Sequence, residues 1–141
     1  MRDTNGLGRV LSAGIAGDVR LDAVTRQLYA TDASIYEIEP IGVVLPRSTE
    51  DVVHAVSVAA ERGLSLLPRG AGTSVAGQSV GASLQIDFSR YMTQVLEVDE
   101  GGGWARVQPG VVLDELNTLL ATRGLQFGPT SPPVAVRTWE G

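Results

Sequence analysis

Hydrophobic positions fall at helical spacing in two stretches of this chain and in short unbroken runs in several others. Gly42-Val43-Val44-Leu45 is an apolar run ended by Pro46, which predicts a strand. Ser48-Thr49-Glu50-Asp51 follows with a hydroxyl N-cap and first-turn acids, so a helix is expected from about Glu50 to Arg62, stopped by Gly63. Val52, Val53, Val56, Ala59 and Ala60 recur at helical spacing and form its expected inner face. Leu64 to Leu67 is a second apolar strand, and the three elements together read as a β–α–β crossover with a parallel strand pair.

Further strands are expected at Leu84 to Asp87, Gln94 to Val98 and Trp104 to Val107, with Glu100-Gly101-Gly102-Gly103 as a hairpin loop. Pro109-Gly110 breaks that sheet. Val111 to Arg123 is a second amphipathic helix, with Val112, Leu116, Leu119 and Leu120 inward and Gly124 as its stop. Before residue 32 the pattern is mixed. Val10 to Ile15 opens a helix and Asp22 to Arg26 a short turn, and the stretch 1–31 reads as an N-terminal extension to a domain spanning 32–141. Gly128-Pro129-Thr130-Ser131-Pro132-Pro133 is expected to be irregular.

Composition narrows the function classes. The formal net charge is −5, without the basic face that nucleic acid or a polybasic membrane contact requires. Cysteine is absent and His54 is the single histidine, which excludes disulfides, thiolate chemistry and multi-histidine metal sites within these residues. All 11 basic residues are arginine, so neither a Walker lysine nor a Schiff-base lysine is present. No apolar run approaches the roughly 20 residues of a membrane helix, and no signal-peptide pattern opens the chain. The expected compartment is therefore the cytoplasm.

The chemistry-bearing segment is Pro68-Arg69-Gly70-Ala71-Gly72-Thr73-Ser74, which follows an apolar strand. Residues without bulky side chains let backbone N–H groups converge on phosphate oxygens. Thr73 and Ser74 add hydroxyls and Arg69 adds positive charge. A tight structural loop is the competing reading of the same residues. Gly70, Gly72 and Val75 fit the Rossmann fingerprint poorly, and no helix pattern follows at once.

From Tyr29 to Pro129 the chain resembles the first half of the FAD-binding domain of the FAD-linked oxidases, the family of D-lactate dehydrogenases, the glycolate oxidase flavin subunit and alkyl-dihydroxyacetone-phosphate synthase. Five blocks carry the resemblance in order: Val43 to Val52, Pro68 to Ser74, Ile86 to Tyr91, Ala105 to Val111, and Gly124 to Pro129. The opening Tyr29-Ala30-Thr31-Asp32-Ala33-Ser34-Ile35-Tyr36 is most similar to members fused to an iron–sulfur module.

The resemblance implies an α+β fold of the PCMH type, the first α/β subdomain plus the start of the second, with FAD between them. It implies that Pro68, Arg69, Gly70, Ala71, Gly72, Thr73 and Ser74 wrap the FAD pyrophosphate and that Pro129 approaches the flavin. Covalent-flavin relatives place a histidine near the position of Thr73, so FAD is expected to be non-covalent here. The family's Thr-(Ile/Leu/Val)-Gly-Gly is met only by Thr138-Trp139-Glu140-Gly141. The family's base and carboxylate clamp for a 2-hydroxy acid come from segments beyond residue 141. The chain thus reads as an N-terminal piece of a larger flavoenzyme, without catalytic residues of its own. An iron–sulfur module or subunit is an implied partner. The alternative is a non-catalytic α/β module that binds a nucleotide or a partner subunit.

The remaining polar residues have bland readings. His54 shares a helical face with Asp51 and Glu61, opposite the valines, and reads as solvated. Asp87-Phe88-Ser89-Arg90 reads as a strand end with a capped turn, Arg106 as the solvent face of a strand, and Asp114 and Glu115 as acids favouring a helix dipole.

Overall fold

The computed structural model describes residues 4–128. The elements are, in chain order, α1 (Thr4–Gly14), β1 (Asp18–Arg20), α2 (Ala23–Leu28), β2 (Gly42–Leu45), α3 (Thr49–Glu61), β3 (Leu66–Arg69), β4 (Leu84–Asp87), β5 (Val95–Asp99), β6 (Trp104–Val107) and α4 (Leu113–Ala121). Two sheets result. The larger has strand order β1-β2-β4-β3, and the smaller is the β5–β6 hairpin.

In the larger sheet β2, β4 and β3 run parallel, and β1 pairs antiparallel with β2. All four residues of β2 and of β4 are buried, as expected of central strands covered on both faces. The expected β2–β3 pair is not adjacent. β4 lies between them, with Val44 opposite Ile86 and Leu67 opposite Gln85. The apolar runs reveal strands but not their order, because the more fully buried strand takes the centre wherever it falls in the chain.

One face carries α1 and α3 over a core of Leu7, Leu11, Ile15, Val44, Ala55, Val58, Ala59, Leu84 and Ile86. The stretch set apart as an N-terminal extension therefore supplies, from residue 4, a helix and an edge strand to the same core. β1 escaped the sequence reading because Asp18-Val19-Arg20 is too short to show a period.

The inner face of α3 differs from expectation. Ala55, Val58, Ala59 and Asp51 are buried, whereas Val53 is 59% and Val56 43% exposed. The small Ala55 and Ala59 bring the helix close to the sheet. Asp51 is tolerated inside because its carboxylate accepts from the amides of Ala16 (2.8 Å), Gly17 (3.0 Å) and Arg47 (2.8 Å). These bonds hold its carboxyl below the usual range although burial pulls the other way. His54 is not simply solvated: its Nε2 lies 3.0 Å from Val10 O on α1, and it is half-buried. The Ser48 N-cap is as expected, accepting from Asp51 N at 3.3 Å.

A second, smaller core joins Val111, Leu116 and Leu120 to Val95, Val98, Val107, Leu113, Leu125 and Phe127. A register shift between Val95 and Glu97 breaks the period-two pattern, so Val95 and Val98 both reach this core and Leu96 is 55% exposed. Leu119, expected inward, sits at the rim with 36% exposure. Arg106 is on the solvent side as expected, 3.1 Å from Glu97. The two cores meet where Gly110 passes the 88–92 turn, its amide donating to Met92 O at 2.8 Å. A Cβ on Gly110 would collide with Phe88 O, a backbone atom that cannot move aside, which explains the glycine there.

Candidate functional site

β2, β4 and β3 all end at the same edge of the sheet, and the carboxyl edge of parallel strands is where open α/β sheets place ligands. From that edge β3 runs into a long segment without helix or strand, residues 70–83. The sequence-predicted loop Pro68–Ser74 falls here, but its first two residues belong to the strand: Pro68 is opposite Ile86 and Arg69 opposite Asp87. Gly70 to Ser74 then form the loop proper. Gly70 is buried, and Gly72 has φ +70°, a conformation that L side chains rarely adopt. Among the described residues no acceptor pairs with the N–H of Gly72, Thr73 or Ser74, while Gly72 O accepts from Ala33 N at 3.1 Å. The Ser74 hydroxyl is paired with the Gln78 side chain and also accepts from Gln78 N at 3.1 Å. Pro129 lies outside the described residues.

The Arg69 guanidinium does not point into open solvent. Its Nη1 donates to Ser79 O at 2.8 Å, its Nη2 to Thr31 O at 2.9 Å, and the group lies over the Tyr29 ring, 5.1 Å from the centroid. The backbone angle calls for glycine at 72, and a Cβ there would also displace this hydrogen-bonded guanidinium.

Sequence reasoning missed the polar network beneath the loop. Gln85 is fully buried on central strand β4 and donates from Nε2 to Tyr29 O at 3.1 Å. Its Oε1 is a buried side-chain atom without a partner among the described residues. Tyr29 Oη donates to Asp87 Oδ2 at 2.5 Å. Burial and that carboxylate push the Tyr29 phenol well above its ordinary range, so it stays a neutral donor. Asp87 Oδ1 accepts from Ser89 N (2.8 Å) and Ser89 Oγ (2.7 Å), the capped turn expected from the sequence. Asp32 Oδ2 accepts from Ser79 N and Oγ at 3.3 and 3.0 Å. The available signal was Gln85 and Asp87, polar residues alternating with Leu84 and Ile86 in a short strand where an unpaired buried polar group would be costly.

Among the described residues no group of three or more His, Cys, Asp or Glu side chains could hold a metal ion. No helix among them is long and apolar enough to cross a membrane.

Residues 40–136 match the family described as FAD binding domain. The chain belongs to that family. This FAD-binding domain is 38% identical to the D-2-hydroxyglutarate dehydrogenase of Escherichia coli over 128 residues, which cover 89% of the chain and 13% of that protein. It is 30% identical to the glycolate oxidase subunit GlcD of Bacillus subtilis over 119 residues, covering 82% of the chain and 25% of that protein. Among solved structures, alkyldihydroxyacetonephosphate synthase superposes with a TM-score of 0.73 at 26% identity, covering 85% of the chain and 27% of that structure. A 4-ethylphenol oxidase of Gulosibacter chungangensis superposes at 0.70 with 24% identity, a likeness of fold. The fold is thus the α+β, PCMH-type FAD-binding fold. The chain spans about an eighth of the D-2-hydroxyglutarate dehydrogenases it matches.

Proposed function

We propose that this FAD-binding domain holds the FAD pyrophosphate on Pro68–Ser74, within a flavin-dependent oxidoreductase that acts on a 2-hydroxy acid such as D-lactate or glycolate. The observation that carries the reading is the set of amides at Gly72, Thr73 and Ser74 without an acceptor among the described residues, on a loop at the carboxyl edge of parallel strands. Such amides suit phosphate oxygens because they donate without a bulky neighbour in the way. Each residue then has a role. Pro68 and Arg69 carry the strand to the edge, and Gly70 and Ala71 keep the approach narrow. Gly72 supplies the turn, and Thr73 and Ser74 supply donors. Arg69 adds positive charge from behind the loop, because its own hydrogen bonds go to carbonyls. Pro129 is the proposed contact toward the flavin.

Bound FAD supplies two-electron redox chemistry for oxidation at a hydroxyl-bearing carbon. The chain's own part is to bind and orient. The base, the carboxylate clamp and any iron–sulfur module belong to further segments or subunits of a full-length protein. Non-covalent attachment is supported by Thr73 in the loop and by His54, which sits on α3 against Val10 O. A cytoplasmic location completes the proposal. The names of the relatives favour an oxidoreductase over a non-catalytic binding module.

The test compares FAD dissociation constants of two variants in a full-length version of the protein. Gly72→Val forces a β-branched residue into a left-handed conformation and against Arg69, and should weaken binding about tenfold or more. A Cβ at Gly102 in the β5–β6 loop would meet the Asp99 carboxylate at 2.6 Å and Trp104 Nε1 at 2.8 Å. These are side-chain ends that can swing away, so Gly102→Val should leave binding within about twofold. Equal constants for the two variants would refute the assignment.

A further inference from the structure

The segment Tyr29–Tyr36 crosses the Gly-rich loop as a strap, and it precedes residue 40, where the family match begins. Its contacts link both limbs of the loop. Arg69, at the start of the loop, reaches Thr31 O on the strap and Ser79 O on the returning limb. Asp32 on the strap receives the Ser79 amide and hydroxyl through Oδ2 and the Ser34 amide through Oδ1 at 2.8 Å. Ala33 N donates to Gly72 O at the middle of the loop. Behind the strap, Tyr29 is fixed to the sheet through Gln85 and Asp87. Gln85, Asp87 and Ser79, three of the buried polar residues, all serve this junction.

We propose that Asp32 and Arg69 are positioning residues, a carboxylate and a guanidinium that clamp the two limbs of the 70–79 loop so that the amides of Gly72, Thr73 and Ser74 are arranged before the ligand arrives. The inference rests on the reading of Pro68–Ser74 as a pyrophosphate cradle. A loop of small residues has high conformational entropy, and a loop left free would be ordered at the expense of affinity. The clamp places that ordering in the folding step. It also explains why an arginine next to a phosphate loop points backward: its donors shape the loop while its charge remains behind it. Asp32 does not repel a phosphate strongly, because its carboxylate is occupied by three hydrogen bonds from Ser79 and Ser34.

The test uses the full 141-residue chain, labelled with 15N, as wild type, Asp32→Ala, Asp32→Asn and Ser48→Ala. Two quantities are read: amide exchange at Ala33 and Gln78, and the dissociation constants of inorganic pyrophosphate and FAD. Asp32→Ala should speed exchange at both amides about tenfold while β2 and β4 keep their rates, and should weaken both ligands about fivefold or more. Asp32→Asn, which keeps one acceptor, should fall between and serves if the alanine variant fails to fold. Ser48→Ala removes a cap on the opposite face of the sheet. It should lower overall stability and leave loop exchange and affinity unchanged. Unchanged exchange at Ala33 and Gln78 overturns the clamp, and so does a loosened loop that binds as tightly as before. If the wild-type chain binds neither ligand, the cradle reading fails, and the exchange rates alone decide whether the clamp exists.

Discussion

The Asp51 carboxylate accepts three backbone amides from the turns that flank α3 and follow α1, and this joins the N-terminal stretch to the parallel sheet. Because these bonds favour the charged form, its folded pKa lies below the ordinary 3.8. A depressed carboxylate pKa stabilises the fold above the unfolded value, and that contribution is lost as the pH falls through the folded value. Asp51→Asn should therefore cost about 2 kcal/mol at neutral pH and flatten the fall in stability that the wild type shows as acid is added below about pH 4. Urea unfolding at pH 7 and at pH 3 measures both. A variant whose loss is the same at both pH values would show that the charge is not what matters. Sequence reading placed Asp51 in the first turn and on the outer face with His54, opposite the valines, whereas it is buried; partners 34 and 35 residues away leave no local trace.

At the scale of elements, α3 separates what patterning shows from what it hides. Its start was legible in Ser48-Thr49-Glu50-Asp51, because capping is a local interaction. Its inner face was not, because counting valines ignores that a buried carboxylate and two small alanines pack closer than branched side chains do. Ala55→Leu should then destabilise by about 1–3 kcal/mol through overpacking. Val53→Ser and Val56→Ser should stay within about 0.5 kcal/mol. Denaturant midpoints of the three variants decide between this face and the valine face. The same contrast holds for the strands. β4 and β6 have the limits their apolar runs predict, whereas β5, expected at Gln94 to Val98, runs Val95–Asp99 with a register shift that no local pattern shows. The order β1-β2-β4-β3 lay beyond any local pattern.

At the scale of the molecule, the larger core is built around a four-stranded sheet, and the smaller rests on one hairpin and one helix. A two-stranded sheet needs such a helix against it to be stable in water, and Leu116 and Leu120 of α4 supply it. The candidate loop was legible because glycines after an apolar strand leave a compositional mark. The strap and network that shape it were not, since Tyr29, Asp32, Gln85 and Asp87 are far apart in sequence. The central claim is that the amides of Gly72, Thr73 and Ser74 receive the FAD pyrophosphate. The most direct measurement is a titration of FAD into the 15N-labelled chain, followed amide by amide. The account predicts the largest shifts at Gly70 to Ser74, reproduced by inorganic pyrophosphate. Shifts centred on another element, or a loop unmoved while FAD binds, would contradict it.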